Sequence, residues 1–453
     1  MASGERGIFT PEDAQSEVDL QKRSPRTIEW RPNPTQCIEL IIPPTVYPPR
    51  EDTDLIANRL IQLGPGKGRK FLEIGCGSGA LSILASSLGW DVHACDINPF
   101  AVAATRGNME KNLQAGTIKE GGIGPDGFPF EEKFDLIIWN LPYIPAHEVN
   151  ELLGPMEEAG LIDTDTQGLQ SRFLSLVGKN NLLATNGRML LLGRTGSIGA
   201  CENFAIRSWD ILEFDDGESL TVFCLWKPWE NAENVFVQST GSTNDDLFHK
   251  SGVGTHISTA LQTSGRGRRD RKWNSIEKCY AGSWIVAEDT EVNPGLLQLS
   301  GGLAVIKSIQ SDRLKLKWPN DILIDERKLC GVLVEGKSSQ DSTKVVLGIG
   351  INLQASNKVI DGKEISTLDE IEELDFKLLD RRLNSELSSL IEERDDIPPV
   401  NFDSIRAEIL THMKSLGRPR YCELVYENFG LNERGELVLG HNVIDDGEDV
   451  SWV

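Results

Sequence analysis

The sequence predicts two different folds on one chain. A parallel, doubly wound α/β domain is expected over residues 29–229, an α+β domain over 235–400, and a small β-rich tail over 401–453. Three observations predict this. In the first half, short apolar runs alternate with helix-period stretches, the pattern of strands interleaved with crossover helices. In the second half, several strands follow one another through turns with no helix between them. Between the two patterns lies a polar break, Lys227-Pro228-Trp229-Glu230-Asn231-Ala232-Glu233-Asn234.

Taken in order, residues 1–28 are polar and charged without sustained periodicity, which predicts a flexible arm. Phe71–Ile74 is an apolar run ahead of a glycine cluster and predicts a strand; Ala80–Leu88 predicts the helix that follows it. Asp91–Cys95 is the next strand, and Pro99–Leu113 a helix with proline in its first turn. Phe134–Trp139, Arg188–Leu192 and Leu220–Trp226 complete the first set of strands. Beyond the break, strands are expected at Val235–Val237, Ser283–Ala287, Leu314–Lys317, Asp321–Ile324, Gly331–Glu335 and Val345–Ile349, with a helix over Leu296–Ser308. A charged helix is expected over 366–397, stopped by Pro398-Pro399. From Pro419 to Val453 the chain reads as short strands, with turns at Asn432-Glu433-Arg434-Gly435 and Asp445-Asp446-Gly447.

At 453 residues the chain exceeds one ordinary core, and its 39% hydrophobic and 25% charged residues are ordinary for a globular protein. The net charge of −23 is spread almost evenly over both halves, which excludes a general nucleic-acid binder. A local basic cluster can still hold a small phosphate. The eight cysteines form no Cys-x-x-Cys pair and no spacing with histidine, so reduced thiols are expected and a metal site is not. No apolar stretch reaches signal-peptide or membrane-span length; the expectation is a cytoplasmic protein without a membrane partner.

Two groups of residues carry chemistry. In the first half Glu73-Ile74-Gly75-Cys76-Gly77-Ser78-Gly79 passes from strand to helix, where glycines permit a tight turn and close approach of a ligand to the backbone. Asp96 ends the next strand, placed to accept both hydroxyls of a ribose or to cap the helix at Pro99. Asn140-Leu141-Pro142-Tyr143 ends a further strand, at the edge where open parallel sheets bind ligands. The Asn140 amide suits the nitrogen of a planar substrate, Tyr143 can stack on its plane, and Pro142 fixes the turn. In the second half Gly265-Arg266-Gly267-Arg268-Arg269 is a basic glycine loop that calls for an anion. Lys317-Trp318-Pro319-Asn320-Asp321, Lys328, Gly331 and Gly348-Ile349-Gly350-Ile351-Asn352 follow it.

The first set, together with Val46-Tyr47-Pro48-Pro49-Arg50-Glu51-Asp52-Thr53, resembles the Rossmann-like S-adenosylmethionine methyltransferases that modify planar nitrogens, in particular the release-factor glutamine methyltransferases. The resemblance covers residues 30–227. It implies that Glu73, Gly75, Gly77, Gly79, Asp96 and Asn140 hold the methyl donor, and that Asn140, Pro142 and Tyr143 hold the acceptor amide of a translation release factor. Leu141 stands where that family has proline, as in enzymes acting on ribosomal RNA adenine, and Asp126 is the candidate acid near the donor's adenine. The alternatives are a fold-retaining docking or dimerisation module without transfer, which donor binding would separate from an enzyme, and an enzyme acting on ribosomal RNA adenine, against which the acidic surface argues.

The second set, with Ser242-Thr243-Asn244 and Gln262-Thr263-Ser264, resembles the biotin protein ligases over residues 235–355. The resemblance implies a class II synthetase-like α+β domain followed by a shortened SH3-like barrel, without the DNA-binding domain that some members carry. It implies ATP, Mg²⁺ and biotin as ligands, a biotin carboxyl carrier protein as partner, and admits a homodimer. Ser242, Thr243, Asn244, Gln262, Gly265, Arg266, Gly267, Arg268, Lys317, Trp318, Asn320, Lys328, Gly331 and Asn352 would bind biotin and adenylate, with Arg266, Arg268 and Lys328 catalytic. Asp270 stands where that family has a third glycine. His412-Met413-Lys414 has the Met-Lys pair of a biotin acceptor but sits in a helix-period stretch, which predicts a surface lysine.

Overall fold

The computed structural model describes residues 24–123, 127–142, 144–145, 162–163, 168–199, 201–215, 217–338, 343–360 and 362–453. By contact the chain forms two units, Met1–Gly199 with Arg207–Trp226 and Ala200–Ile206 with Lys227–Val453.

The described chain of the first unit opens on an antiparallel hairpin, β1 (Arg26–Asn33) and β2 (Gln36–Ile42). Ile38, Leu40 and Ile42 point inward while Cys37, Glu39 and Ile41 point outward, the period of a half-buried strand. The arm expected over 1–28 therefore gives way to a strand at Arg26; residues 1–23 lie outside the described residues. After α1 (Glu51–Gln62) come β3 (Lys70–Ile74), α2 (Ala80–Ser87), β4 (Asp91–Asp96), α3 (Pro99–Lys111), β5 (Thr117–Glu120) and β6 (Phe134–Asn140). Then follow α4 (Leu169–Asn180), β7 (Leu183–Arg194), β8 (Ala205–Glu213) and β9 (Ser219–Trp226).

One seven-stranded sheet has the order β8-β9-β7-β6-β3-β4-β5. Strands β5, β4, β3, β6 and β7 are mutually parallel, and β9 runs antiparallel to β7, so the closing strand departs from an all-parallel sheet. The chain winds outward from β3 to β4 and β5, then returns to β6 and β7 on the other side. That reversal places the topological switch point, where sheets of this kind bind ligands, at the carboxyl ends of β3 and β6. Leu190, Leu191 and Leu192 are all fully buried in succession, as expected of a strand covered on both faces.

The second unit contains β10 (Asn234–Val237), α5 (Thr243–Phe248), β11 (His256–Thr259), β12 (Lys278–Glu288), α6 (Pro294–Ile309), β13 (Leu314–Lys317), β14 (Asp321–Ile324), β15 (Arg327–Ser338) and β16 (Thr343–Gln354). Its seven-stranded sheet has the order β10-β11-β12-β16-β15-β14-β13. Only the β10–β11 pair is parallel; the remaining neighbours are antiparallel. Pro294 and the Asn293 cap start α6, which is buried around most of its circumference. Its Leu299, Leu303 and Ile306 share a core with Val332 and Ile349 of the sheet and with Leu379, Leu383 and Leu387 of α7 (Phe376–Ile391).

The charged segment 366–397 is helical only over α7. Thr367 and Glu370 form a capping box around a single 3₁₀ turn, Leu368–Glu370, and Asp375 caps α7 afresh by accepting from Lys377 and Leu378 backbone N–H groups. Glu370 is also held by Arg327 at 2.7 Å and Lys358 at 2.8 Å. These side chains satisfy the backbone locally and interrupt the helix.

After α8 (Phe402–Lys414), the tail forms β17 (Pro419–Tyr421), β18 (Leu424–Val425), β19 (Gly430–Leu431), β20 (Leu437–Leu439), β21 (Asn442–Ile444) and β22 (Val450–Trp452). They make two three-stranded antiparallel sheets, β18-β17-β22 and β19-β20-β21. Packing does not break at residue 401: Ile405, Ile409 and Met413 of α8 and Leu437 and Leu439 of β20 join the α6 core.

Candidate active sites

The switch point of the first unit is built by register. Ile74 pairs with Cys95 on one side and Trp139 on the other, so Gly75, Asp96 and Asn140 come to one level at the carboxyl edge. Gly75, Gly77 and Gly79 have φ of +70°, +51° and +83°, a region that residues with a Cβ rarely enter. The Asp96 carboxylate accepts from Gly77 N–H at 2.9 Å and from Asn98 N–H at 2.8 Å, so it fixes the glycine turn. Burial pushes Asp96 above the usual carboxylate range, against the pull of the Asn98 and Gly77 hydrogen bonds. The cap of α3 is Asn98, whose side chain accepts from Phe100 N–H, and not Asp96.

Glu73 is placed differently from the rest of its motif. Its carboxylate is buried and accepts from the Ser82 hydroxyl at 2.5 Å, and burial pushes it up to about 8. It braces the start of α2 beneath the glycine turn.

Asn140 donates through Nδ2 to Asp52 Oδ2 at 2.8 Å, while its Oδ1 is buried with no hydrogen-bond partner among the described residues. Asp52 belongs to the Val46–Thr53 run, and sequence reading gave it no role; the run carries a signature but no spacing that pairs it with a residue 88 positions away. Leu141 is buried and its N–H donates to Leu192 O, which holds Pro142 at the strand end. Tyr143 and Asp126 lie outside the described residues.

In the second unit, a cavity of about 250 Å³ gathers Ser242, Thr243, Asn244, Gln262, Arg266, Gly267, Arg268, Lys317, Trp318, Asn320, Lys328 and Gly331. Segments as far apart as α5 and β15 thus meet at one place. Its neutral part is a connected network. Gln262 Oε1 accepts from Thr243 N–H at 2.8 Å, the Thr243 and Ser283 hydroxyls lie 2.6 Å apart, and Ser283 donates to Asn244 Oδ1 at 2.6 Å. Asn244 then donates to Glu335 Oε2 at 2.7 Å, and Glu335 takes Arg266 in a two-bonded pair at 3.2 and 3.0 Å. Asp245 also pairs with Arg266, and its hydrogen bond, ahead of Glu335, raises the guanidinium further above its usual range. Arg266 is thus held by two carboxylates. Ser242 uses its hydroxyl to cap α5.

The cationic part carries Arg268, Arg269, Arg271, Lys272, Lys317 and Lys328. Lys328 Nζ pairs with Asp321 Oδ1 at 2.6 Å and stands 5.6 Å from the Trp273 ring centre. Burial lowers Arg268. The tail turn supplies Asp446, Gly447 and Glu448 to the same wall. Arg269 pairs with Asp446 and, at 3.0 Å, with Glu448; Arg271 pairs with Glu448; Arg268 reaches Asp445 O at 3.5 Å. Sequence reading missed these acids, which appear there only as a turn, and missed Trp273, next to the basic run.

Gly265 and Asn352 do not line the cavity. Gly265 pairs with Trp273, and Asn352 is buried, its Nδ2 donating to Lys328 O and Ser366 O. Asn352 therefore fixes the backbone that carries Lys328. Asn320 likewise ties its loop to β15 by donating to Val332 O at 3.0 Å. Trp318 is 3% exposed, donates its indole N–H to Gly435 O, and anchors the tail more than it faces a ligand. The Asp270 backbone lies in a 3₁₀ turn over Arg268–Asp270. Met413 is fully buried within α8 beside Lys414.

Against known proteins, residues 236–352 match the sequence model of the Biotin/lipoate A/B protein ligase family. A biotin–[acetyl-CoA-carboxylase] ligase of Mycobacterium tuberculosis is 33% identical over 192 residues, 39% of this chain and 70% of that protein. The chain belongs to the biotin/lipoate protein ligase family. The bifunctional ligase/repressor BirA of Escherichia coli is 34% identical over 122 residues, which are 25% of this chain and 38% of that protein. Residues 57–159 match the sequence model of the ribosomal protein L11 methyltransferase family, so this part is methyltransferase-like. A release factor glutamine methyltransferase of Geobacter sulfurreducens is 27% identical over 183 residues, 37% of this chain and 63% of that protein. The chain thus joins a methyltransferase-like region to a ligase-family region. No described helix is long and apolar enough to cross a membrane.

Proposed function

We propose that the chain is a bifunctional enzyme: an ATP-dependent ligase that attaches biotin to a lysine of a biotin carboxyl carrier protein, and an S-adenosylmethionine-dependent N-methyltransferase acting on a release-factor glutamine. The observation that supports the ligase is the convergence of Ser242–Asn244, Gln262, the arginine loop, Lys317–Asn320 and Lys328 on one cavity. Its neutral hydrogen-bonding network and Trp273 suit a polar ring system, and its cations suit carboxylate and phosphate. A biotin carboxylate oxygen bonds to the α-phosphorus of ATP and pyrophosphate leaves. The acceptor lysine nitrogen then bonds to the activated carbonyl carbon, AMP leaves, and the lysine proton passes to solvent. Lys328, Lys317 and Arg268 neutralise charge as the two anions approach. Mg²⁺ would bind with the ATP phosphates, as hard cations in nucleotide sites do.

For the methyltransferase, the left-handed glycines and Asp96 fit a nucleoside donor at the carboxyl edge, where an added Cβ at Gly77 would stand 3.5 Å from Tyr47 O. When bound, S-adenosylmethionine supplies the methyl group. Asn140 Oδ1, unpartnered among the described residues, accepts a hydrogen bond from the acceptor nitrogen and orients it; on methyl transfer the nitrogen's displaced proton passes to solvent.

Mass spectrometry tests both halves. The full chain with biotin, ATP, magnesium and a carrier domain should add biotin to one lysine, with Lys328→Ala losing about 10²-fold in rate; absence of both adduct and adenylate sinks the ligase. With S-adenosylmethionine and a release factor, a glutamine methyl adduct lost in Asn140→Ala is expected. Donor binding without transfer would point to another acceptor, and no donor binding to a docking module.

A further inference from the structure

We infer that Asp52 is a positioning residue that decides which way the Asn140 amide faces, and that it thereby restricts the methyl acceptor to nitrogens carrying a hydrogen. The inference rests on the methyltransferase reading above and deepens it.

Asp52 is 5% exposed, at the first turn of α1. Its Oδ1 accepts from Thr53 N–H at 2.6 Å and from the Thr53 hydroxyl at 3.1 Å. Its Oδ2 accepts from the Tyr47 hydroxyl at 3.3 Å and from Asn140 Nδ2 at 2.8 Å. Both of its oxygens accept in these four hydrogen bonds, so the end of the amide that faces it is the NH₂. The two ends of an amide are otherwise nearly interchangeable in shape. Asp52 removes that freedom and sends the carbonyl of Asn140 the other way.

Among the described residues, Asn140 Oδ1 is buried without a hydrogen bond, a state that proteins seldom leave uncompensated. It lies at the end of β6, level with the glycine turn of β3 across the switch point. A group docking there must donate. A carboxamide or an exocyclic amine does so while its nitrogen stays in line with the donor. A carboxylate, an ether or a ring nitrogen without hydrogen would set lone pair against lone pair and is excluded.

The test separates polarity from packing. Asp52→Asn keeps the shape but supplies its own NH₂, so the Asn140 amide can turn. Asp52→Glu changes the size but still offers only acceptors. Initial rates of methyl transfer from S-adenosylmethionine to a full-length release factor should rank wild type, then Glu, then Asn. For Asp52→Asn, kcat is expected to fall about 10²-fold, with donor affinity by calorimetry and melting temperature little changed. If Asp52→Asn outperforms Asp52→Glu, the residue serves packing and the inference is overturned. Wild-type rates in Asp52→Asn overturn it equally. A wild-type chain that methylates no release factor would instead bring down the reading on which the inference rests, and the inference with it.

Discussion

Glu73 joins a local charge to the stability of the donor turn. Its carboxyl is buried on β3 against Ser82, and burial raises it from 4.5 in the unfolded chain to about 8. Between these values the folded chain holds a proton that the unfolded chain has lost, so stability is full below about 4.5 and falls as pH rises through about 8. Glu73→Gln, neutral at every pH, should match the wild type near pH 4.5 and melt at progressively higher temperature than it by pH 8. Thermal denaturation of both chains across that range checks the sign; parallel curves would mean that the carboxyl is ionised in the fold. The Gly-x-Gly-x-Gly spacing was legible as a ligand turn, but nothing in it shows that the neighbouring acid faces the helix.

At the scale of elements, β15 and β16 set the floor of the ligase cavity. Gly331 and Gly350 are paired across these strands, and a Cβ on Gly350 would stand 2.7 Å from Trp273 while one on Gly331 would stand 3.2 Å from it. The absent side chains let the indole lie on the sheet. Gly350→Ala is therefore expected to lift Trp273, weaken biotin binding by at least tenfold, and destabilise the second unit by about 1–3 kcal/mol. Calorimetric titration with biotin and a urea melt would test it; unchanged affinity would remove Trp273 from the site. The strands themselves were readable from β-branched runs. The helix over 366–397 was overextended because charged periodicity continued, while the caps at Thr367 and Asp375 acted only through their side chains.

At the scale of the whole molecule, the second unit closes its own basic loop. Asp446 and Glu448 of the tail neutralise Arg269 and Arg271, with their side chains 19% and 44% exposed, and the tail reaches the loop because Trp318 and the α6 core hold it there. These acids stand where phosphate charge would have to be accommodated. Glu448→Gln should lower the KM for ATP severalfold at low salt, with the gain fading toward 1 M salt as screening tightens, and should change stability by less than about 1 kcal/mol. Steady-state kinetics over a salt series tests this; a raised KM would make Glu448 a ligand-supporting residue.

The sequence by itself determined the ligase family, the likeness to methyltransferases and the positions of most strands along the chain. Those signals are local: glycine turns, apolar runs and short motifs are written in neighbouring residues. Only the tertiary structure decided which of these residues meet at one place. It buried Glu73 and Asn352 as supports, set Arg266 between two carboxylates, and brought Asp52 to Asn140 and the tail acids to the arginine loop. These pairings join positions dozens to hundreds of residues apart, and they follow from sheet order and shared cores, which no local spacing encodes.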